Sequence, residues 1–227
     1  MKTNTLALKT FVVAAALSLV TLASAGATVL YNQDFDMSGN AYSSQNDTAG
    51  LGNFATVFDN FTLGSGASIN NVMWTGEYFN PPAQGPITAW TVTFYADAGG
   101  MPGGSLMSYN VAGTAMETFL GNFNGFPAYT YSLDLSTAFN ALGGTQYWLS
   151  VVPDLAFPPQ WGWSSGTGGD GFSYQDFFGS RSLLQADMAF TLNGSSGVPE
   201  SGSTVLLLGA AILVLGAVRR RKAGVRA

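Results

Sequence analysis

The sequence predicts an all-β fold, a jelly-roll-like antiparallel β-sandwich, over residues 26–197. Three observations carry this. Apolar and polar side chains alternate with a period of two in segment after segment, the signature of strands with one wet face. Glycine- and proline-rich turn signals separate those segments at short intervals. No helical periodicity competes between Gly26 and Gly197.

The first 25 residues stand outside that pattern. Lys2 and Lys9 precede an apolar stretch from Thr10 to Leu22, and Ala23-Ser24-Ala25 supplies small residues before Gly26. This is the three-part anatomy of a secretory signal helix, removable by signal peptidase between Ala25 and Gly26. The apolar run is shorter than the ~20 residues that span a bilayer, which argues against a permanent anchor.

Strands are expected at Val29 to Tyr31, Ala55 to Leu63, Ile69 to Tyr78 and Leu106 to Val111. The clearest alternations place Trp90, Val92 and Phe94 on one face, then Tyr129, Tyr131, Leu133 and Leu135, then Tyr147, Leu149 and Val151. Met188, Phe190 and Leu192 make a last strand. Turns fall at Gly64-Ser65-Gly66, Asn80-Pro81-Pro82, Gly99 to Gly103, Gly143-Gly144 and Gly166 to Gly171. Many short strands so punctuated read as a sandwich. A domain of this size buries about 70% of its unfolded surface, so 16 Phe, 9 Tyr and 5 Trp can form a core without disulfides.

Residues 198–227 form a third region. Val198-Pro199-Glu200-Ser201-Gly202 leads into an expected transmembrane helix over 204–218, whose charge-free run Val205 to Val218 is fourteen residues long. At 1.5 Å per residue that run covers ~21 Å, short against a ~30 Å hydrocarbon core. The basic tail 219–227, opening Arg219-Arg220-Arg221-Lys222, stays cytoplasmic and leaves the domain outside. Pro199 keeps the preceding motif extended and Gly202 permits close backbone approach, which suits a segment threaded through an enzyme cleft.

Motif, apolar helix and arginine cluster in this order resemble the PEP-CTERM sorting signals of exopolysaccharide-producing Gram-negative bacteria, and the motif is closest to the VPDSG variant with Glu200 in place of Asp. The resemblance implies that an exosortase, a membrane-embedded cysteine transpeptidase-like enzyme, recognises Val198 to Gly202 and removes the helix. It implies a protein held transiently in the inner membrane, then released to the cell envelope or an extracellular matrix, with exopolysaccharide as a further partner. A Gram-positive sortase signal and a plain single-span anchor are the other readings of this tail; the trailing arginines argue against a GPI signal. The order Asp59-Asn60-Phe61-Thr62-Leu63, Thr93 to Asp97 with its Gly-Gly-x-Pro-Gly turn, Gly144 to Ser150, Trp161-Gly162-Trp163 and Asp187 to Phe190 also resembles a domain of PEP-CTERM proteins.

Composition narrows the chemistry. With no Cys and no His there is no thiolate nucleophile, no serine triad and no histidine metal site. Between Gly26 and Pro199 twelve acids face one base, Arg181, leaving the segment at -11, so nucleic acid is excluded as a partner by charge. Glu77 and Glu117, its only glutamates, have no spacing that sets a glycosidase pair and are expected in solvated loops. Gly50 to Ala55 matches G-x-G-x-x-A but follows a polar stretch and no strand, so it reads as a loop. No enzyme, metal site or cofactor is expected. Calcium is the one ion whose oxygen ligands the turns could supply, through Asp34, Asp36, Asp47, Asp97, Asp170 and Asp176, although no EF-hand spacing is present. The leading expectation is a non-enzymatic surface or matrix protein. The alternative is a carbohydrate-binding module acting through Trp161 and Trp163, which share side-chain parity near loops, with core packing beneath the loop as the competing and preferred reading of the pair.

Overall fold

Alternating side chains stabilise strands only when a second apolar surface covers them, and here the cover is another sheet. The computed structural model describes residues 28–197. Its strands are β1 (Thr28–Phe35), β2 (Ala41–Ser43), β3 (Gln45–Asp47), β4 (Gly52–Thr62) and β5 (Ala67–Phe79). Then come β6 (Ala89–Asp97), β7 (Pro102–Ala112), β8 (Thr118–Phe123), β9 (Phe126–Ala141) and β10 (Gln146–Asp154). The last are β11 (Gln160–Thr167), β12 (Ser173–Phe177), β13 (Ser180–Leu184), β14 (Asp187–Met188) and β15 (Phe190–Ser196).

One sheet of eight strands runs β14-β11-β1-β15-β5-β9-β8, with β2 paired to β11. The other, of seven, runs β13-β12-β4-β3-β10-β6-β7. Pairing is antiparallel throughout except for the contact of Asp154 in β10 with Asn46 in β3. The inner faces meet in an aromatic core. Trp74 of the first sheet crosses Trp90 of the second edge to face at 4.8 Å, Trp90 meets Trp161 at 5.0 Å, and Phe94 stacks on Phe139 at 4.3 Å. Such pairs add about 0.5–1.5 kcal/mol each beyond their buried area.

The expected strands are present and the strong alternations face inward as read. Four features differ from the sequence reading. β10 is buried on both faces, because Trp148 is covered by Tyr174 of β12 at 5.5 Å and its Nε1 donates to Asp97 at 2.9 Å. The last expected strand is two, β14 and β15, separated at Ala189, whose N–H donates to Ser164 and whose carbonyl accepts from Thr75. β2, β3, β8, β12 and β13 are short and show no sustained alternation of apolar and polar side chains. Trp161 and Trp163 belong to a strand, β11, that the sequence reading did not mark.

Both ends of the described region lie at one end of the sandwich. Thr28 pairs with Gly194, and the Gly197 N–H donates to the Gly66 carbonyl at 2.9 Å, just before β5 begins. The signal helix with Ala23, Ala25 and Gly26, the motif Val198 to Gly202, the helix 204–218 and the basic cluster Arg219 to Lys222 lie outside the described residues.

A cleft over a buried glutamate

In β5 successive side chains point to opposite faces, so Trp74 and Tyr78 enter the core while Thr75, Glu77 and Phe79 face outward. Gly162 of β11 lies opposite Glu77, and Trp161 lies opposite Tyr78. An outward carboxylate at the centre of a sheet would ordinarily meet water. Here it does not, because the chain between β1 and β2 crosses over it.

That crossing is fixed at both ends. Asp36 accepts from the Ser38 N–H and the Ser165 hydroxyl, and the Ser165 N–H donates to the Asn40 carbonyl. Gly39 lies against the β8–β9 turn so closely that a Cβ would stand 2.6 Å from the Phe123 carbonyl oxygen and from the Asn124 Cβ, and its φ of +73° is one L side chains rarely adopt. Phe35 meets Phe123 edge to face at 4.9 Å.

Beneath this strap is a cleft of about 320 Å³ lined by Gly39 to Tyr42, Phe79, Phe126 and Glu77. Glu77 is 1% exposed, and its Oε1 has no hydrogen-bond partner among the described residues. Ser164 Oγ beside it, fully buried, has none either. Burial pushes the Glu77 carboxyl up to about 7; the Ser164 hydroxyl is close enough to oppose the rise without forming a well-shaped bond, and the charge of Asp36 adds to it.

A second buried acid is the opposite case. Asp59, fully buried in β4, accepts from the Met188 N–H at 2.5 Å and the Asn60 N–H at 2.7 Å. With its amide turned to match its neighbours, Gln33 donates to Asp59 at 2.7 Å and accepts from the Tyr31 hydroxyl at 2.9 Å. Burial still pushes the Asp59 carboxyl well up, against these bonds. Its role is structural, tying β4 to β14 and β1.

Trp161 and Trp163 are both 0% exposed, so the expectation that they contact carbohydrate is corrected. Their shared parity points them into the core. The Trp161 ring lies on Gly76, where a Cβ would be 2.0 Å from the ring; its Nε1 donates to Tyr131, and the Trp163 Nε1 donates to the Ala189 carbonyl. Neither ring has a free face for a sugar. Glu77 is likewise not in a solvated loop. Glu117 is bonded to the Tyr78 and Tyr131 hydroxyls at 2.5 and 2.8 Å, on the side of the sheet that Tyr78 faces, so the two glutamates do not share a cleft.

The acids proposed for calcium are used locally. Asp47 accepts from the N–H groups of Ala49, Leu51 and Phe157, and Asp97 from those of Gly99 and Gly100. Backbone bonds hold Asp47 below the usual carboxylate range. Asp176 pairs with Arg181 at 2.7 Å, Asp170 accepts from Phe172 and Asn60, and Asp34 from Asn32. Among the described residues no three acidic side chains converge to hold a metal ion. None of the described residues forms a helix long and apolar enough to cross a membrane.

The domain therefore offers one cleft with an orphaned charge, and its C-terminal strand hands the chain to the segment beginning at Val198. The family model of the VPDSG-CTERM motif matches residues 197–222. The chain carries a VPDSG-CTERM sorting tail. The match takes in Val198 to Gly202, the apolar run and Arg219 to Lys222, which agrees with the sequence reading of one composite signal. A VPDSG-CTERM tail points to export and association with the envelope. No curated protein and no solved structure matches the chain.

Proposed function

We propose that the chain is a non-enzymatic surface or extracellular-matrix protein. It is exported with a cleavable signal, held transiently in the inner membrane by the helix over 204–218, and processed by an exosortase at Val198 to Gly202. The observation that carries this reading is the motif match over residues 197–222, which joins the cleavage sequence to its apolar stop and basic cluster. The position of Gly197 at one end of the sandwich supports it, since a cut in the next few residues leaves every strand of the described residues intact. The non-enzymatic assignment is supported by the absence of His and Cys and by the separation of Glu77 from Glu117.

Fractionation of the host expressing a Pro199→Ala, Glu200→Ala double variant tests the processing step. The variant is expected to stay with the inner membrane at the mass of the uncut tail. Release of a shortened variant at the wild-type rate would overturn the assignment of the motif. The carbohydrate-binding module remains the alternative, but it can no longer rest on Trp161 and Trp163.

A further inference from the structure

The Glu77 cleft has the features of a binding site that the strand pattern does not require. A carboxylate this deeply covered is ordinarily paired with a base or with several hydrogen-bond donors. Glu77 has neither, and Arg181, the domain's one base, is engaged by Asp176 in the other sheet. Ser164 Oγ is unpartnered at the same place. A buried carboxylate oxygen left open beside a cleft calls for a ligand that brings a donor.

The walls narrow the ligand. Phe79 and Phe126 line the cleft beside the carboxyl with ring surface, which favours an organic cation over a hydrated metal ion. A calcium ion takes six to eight oxygens, and the lining supplies a single carboxylate. The volume of 320 Å³ is at the lower end for small-molecule sites and admits one six-membered ring. Glu77 lies ten residues along β5 from Ala67, roughly 33 Å from the end of the sandwich where Gly197 meets Gly66.

We propose that this cleft binds an amino sugar bearing a free amine, with the ammonium donating to Glu77 and the ring lying against the edge-to-face pair Phe79 and Phe126. The site is independent of the sorting reading. Its ligand competes with protons for Glu77; the other groups acting on that carboxyl are Asp36 from the strap and the Ser164 hydroxyl from β11, while Tyr42 of β2 lines the same cleft and β9 contributes only apolar lining.

Isothermal titration of the full chain with glucosamine, N-acetylglucosamine and Nα-acetyl-lysine amide tests the proposal. Glucosamine is expected to bind with a Kd on the order of 1 mM, typical of a ligand with so few atoms, and N-acetylglucosamine at least about tenfold more weakly. Binding should weaken as pH falls through about 7, be lost in Glu77→Gln, and be reduced in Phe126→Ala while both variants still unfold cooperatively. Equal affinity for the acetylated sugar, or unchanged binding by Glu77→Gln, would overturn it. Tighter binding of the lysine amide would overturn the sugar assignment in favour of a protein partner.

Discussion

Replacing Glu77 by Gln should make the protein more stable at alkaline pH, which is an unusual outcome for a buried polar substitution. In the unfolded chain Glu77 ionises near its ordinary value of 4.5, whereas in the folded protein burial moves it to about 7. The folded state thus holds its proton over an interval in which the unfolded state has lost it. Stability from this group is complete below 4.5 and falls as pH rises to about 7, after which the folded state bears the whole cost of a buried charge. A displacement of that size corresponds to roughly 3 kcal/mol in full, of which about 2 kcal/mol develops between about pH 5 and about pH 8.5 because the unfolded carboxyl is already largely ionised at the lower value. Gln keeps the shape and abolishes the titration. Thermal and urea unfolding of both forms at about pH 5 and about pH 8.5 should show the difference between them changing by about 2 kcal/mol in favour of Gln, or about 4–8 °C in Tm for a domain of this size. A difference that does not vary with pH, or one that moves against Gln at the higher value, would refute the argument that this carboxylate is buried without a partner.

Asp59 provides the converse. Its oxygens already accept from Met188 and Asn60 N–H groups, so Asp59→Asn sets an amide N–H against a donor and should destabilise by roughly 1–3 kcal/mol at neutral pH in the same unfolding assay. Gly76→Ala should cost about 1–3 kcal/mol, because the new methyl group would enter the Trp161 ring and the core must shift. Trp161→Ala should cost more, about 3–5 kcal/mol, through the cavity it leaves between the sheets. Arg181→Ala removes an ion pair whose side chains are about one-third exposed and should change stability by no more than about 1 kcal/mol.

What could be read from the sequence was the periodic part. Trp90, Val92 and Phe94, or Tyr129 to Leu135, show their burial locally because every second residue is apolar. The parity of Trp161 and Trp163 was equally legible, but parity does not say which face is covered. The glycines were the clue: Gly76 leaves the space that the Trp161 ring fills, and Gly162 between the tryptophans allows Phe79 and Tyr42 to pass close outside. β3 escaped notice because its buried Gln45 and the adjoining Ser44 are polar. The donors of both are satisfied through residues more than a hundred positions away, the Ser44 hydroxyl donating to the Val151 carbonyl and the Gln45 amide to the Leu155 carbonyl. Glu77 was missed for a related reason. Its burial depends on a strap from residues 36–40 meeting a turn at 123–126, and no local pattern encodes that meeting.

The sorting tail was the most legible part, since its motif, apolar length and terminal charge are all contiguous. Intact-mass measurement of the protein recovered from its host tests the claim on which the functional reading rests. A chain beginning near Gly26 and ending within Val198 to Gly202 is the expected result. A mature chain that still carries Val205 to Ala227 would contradict it and leave a permanently anchored protein instead.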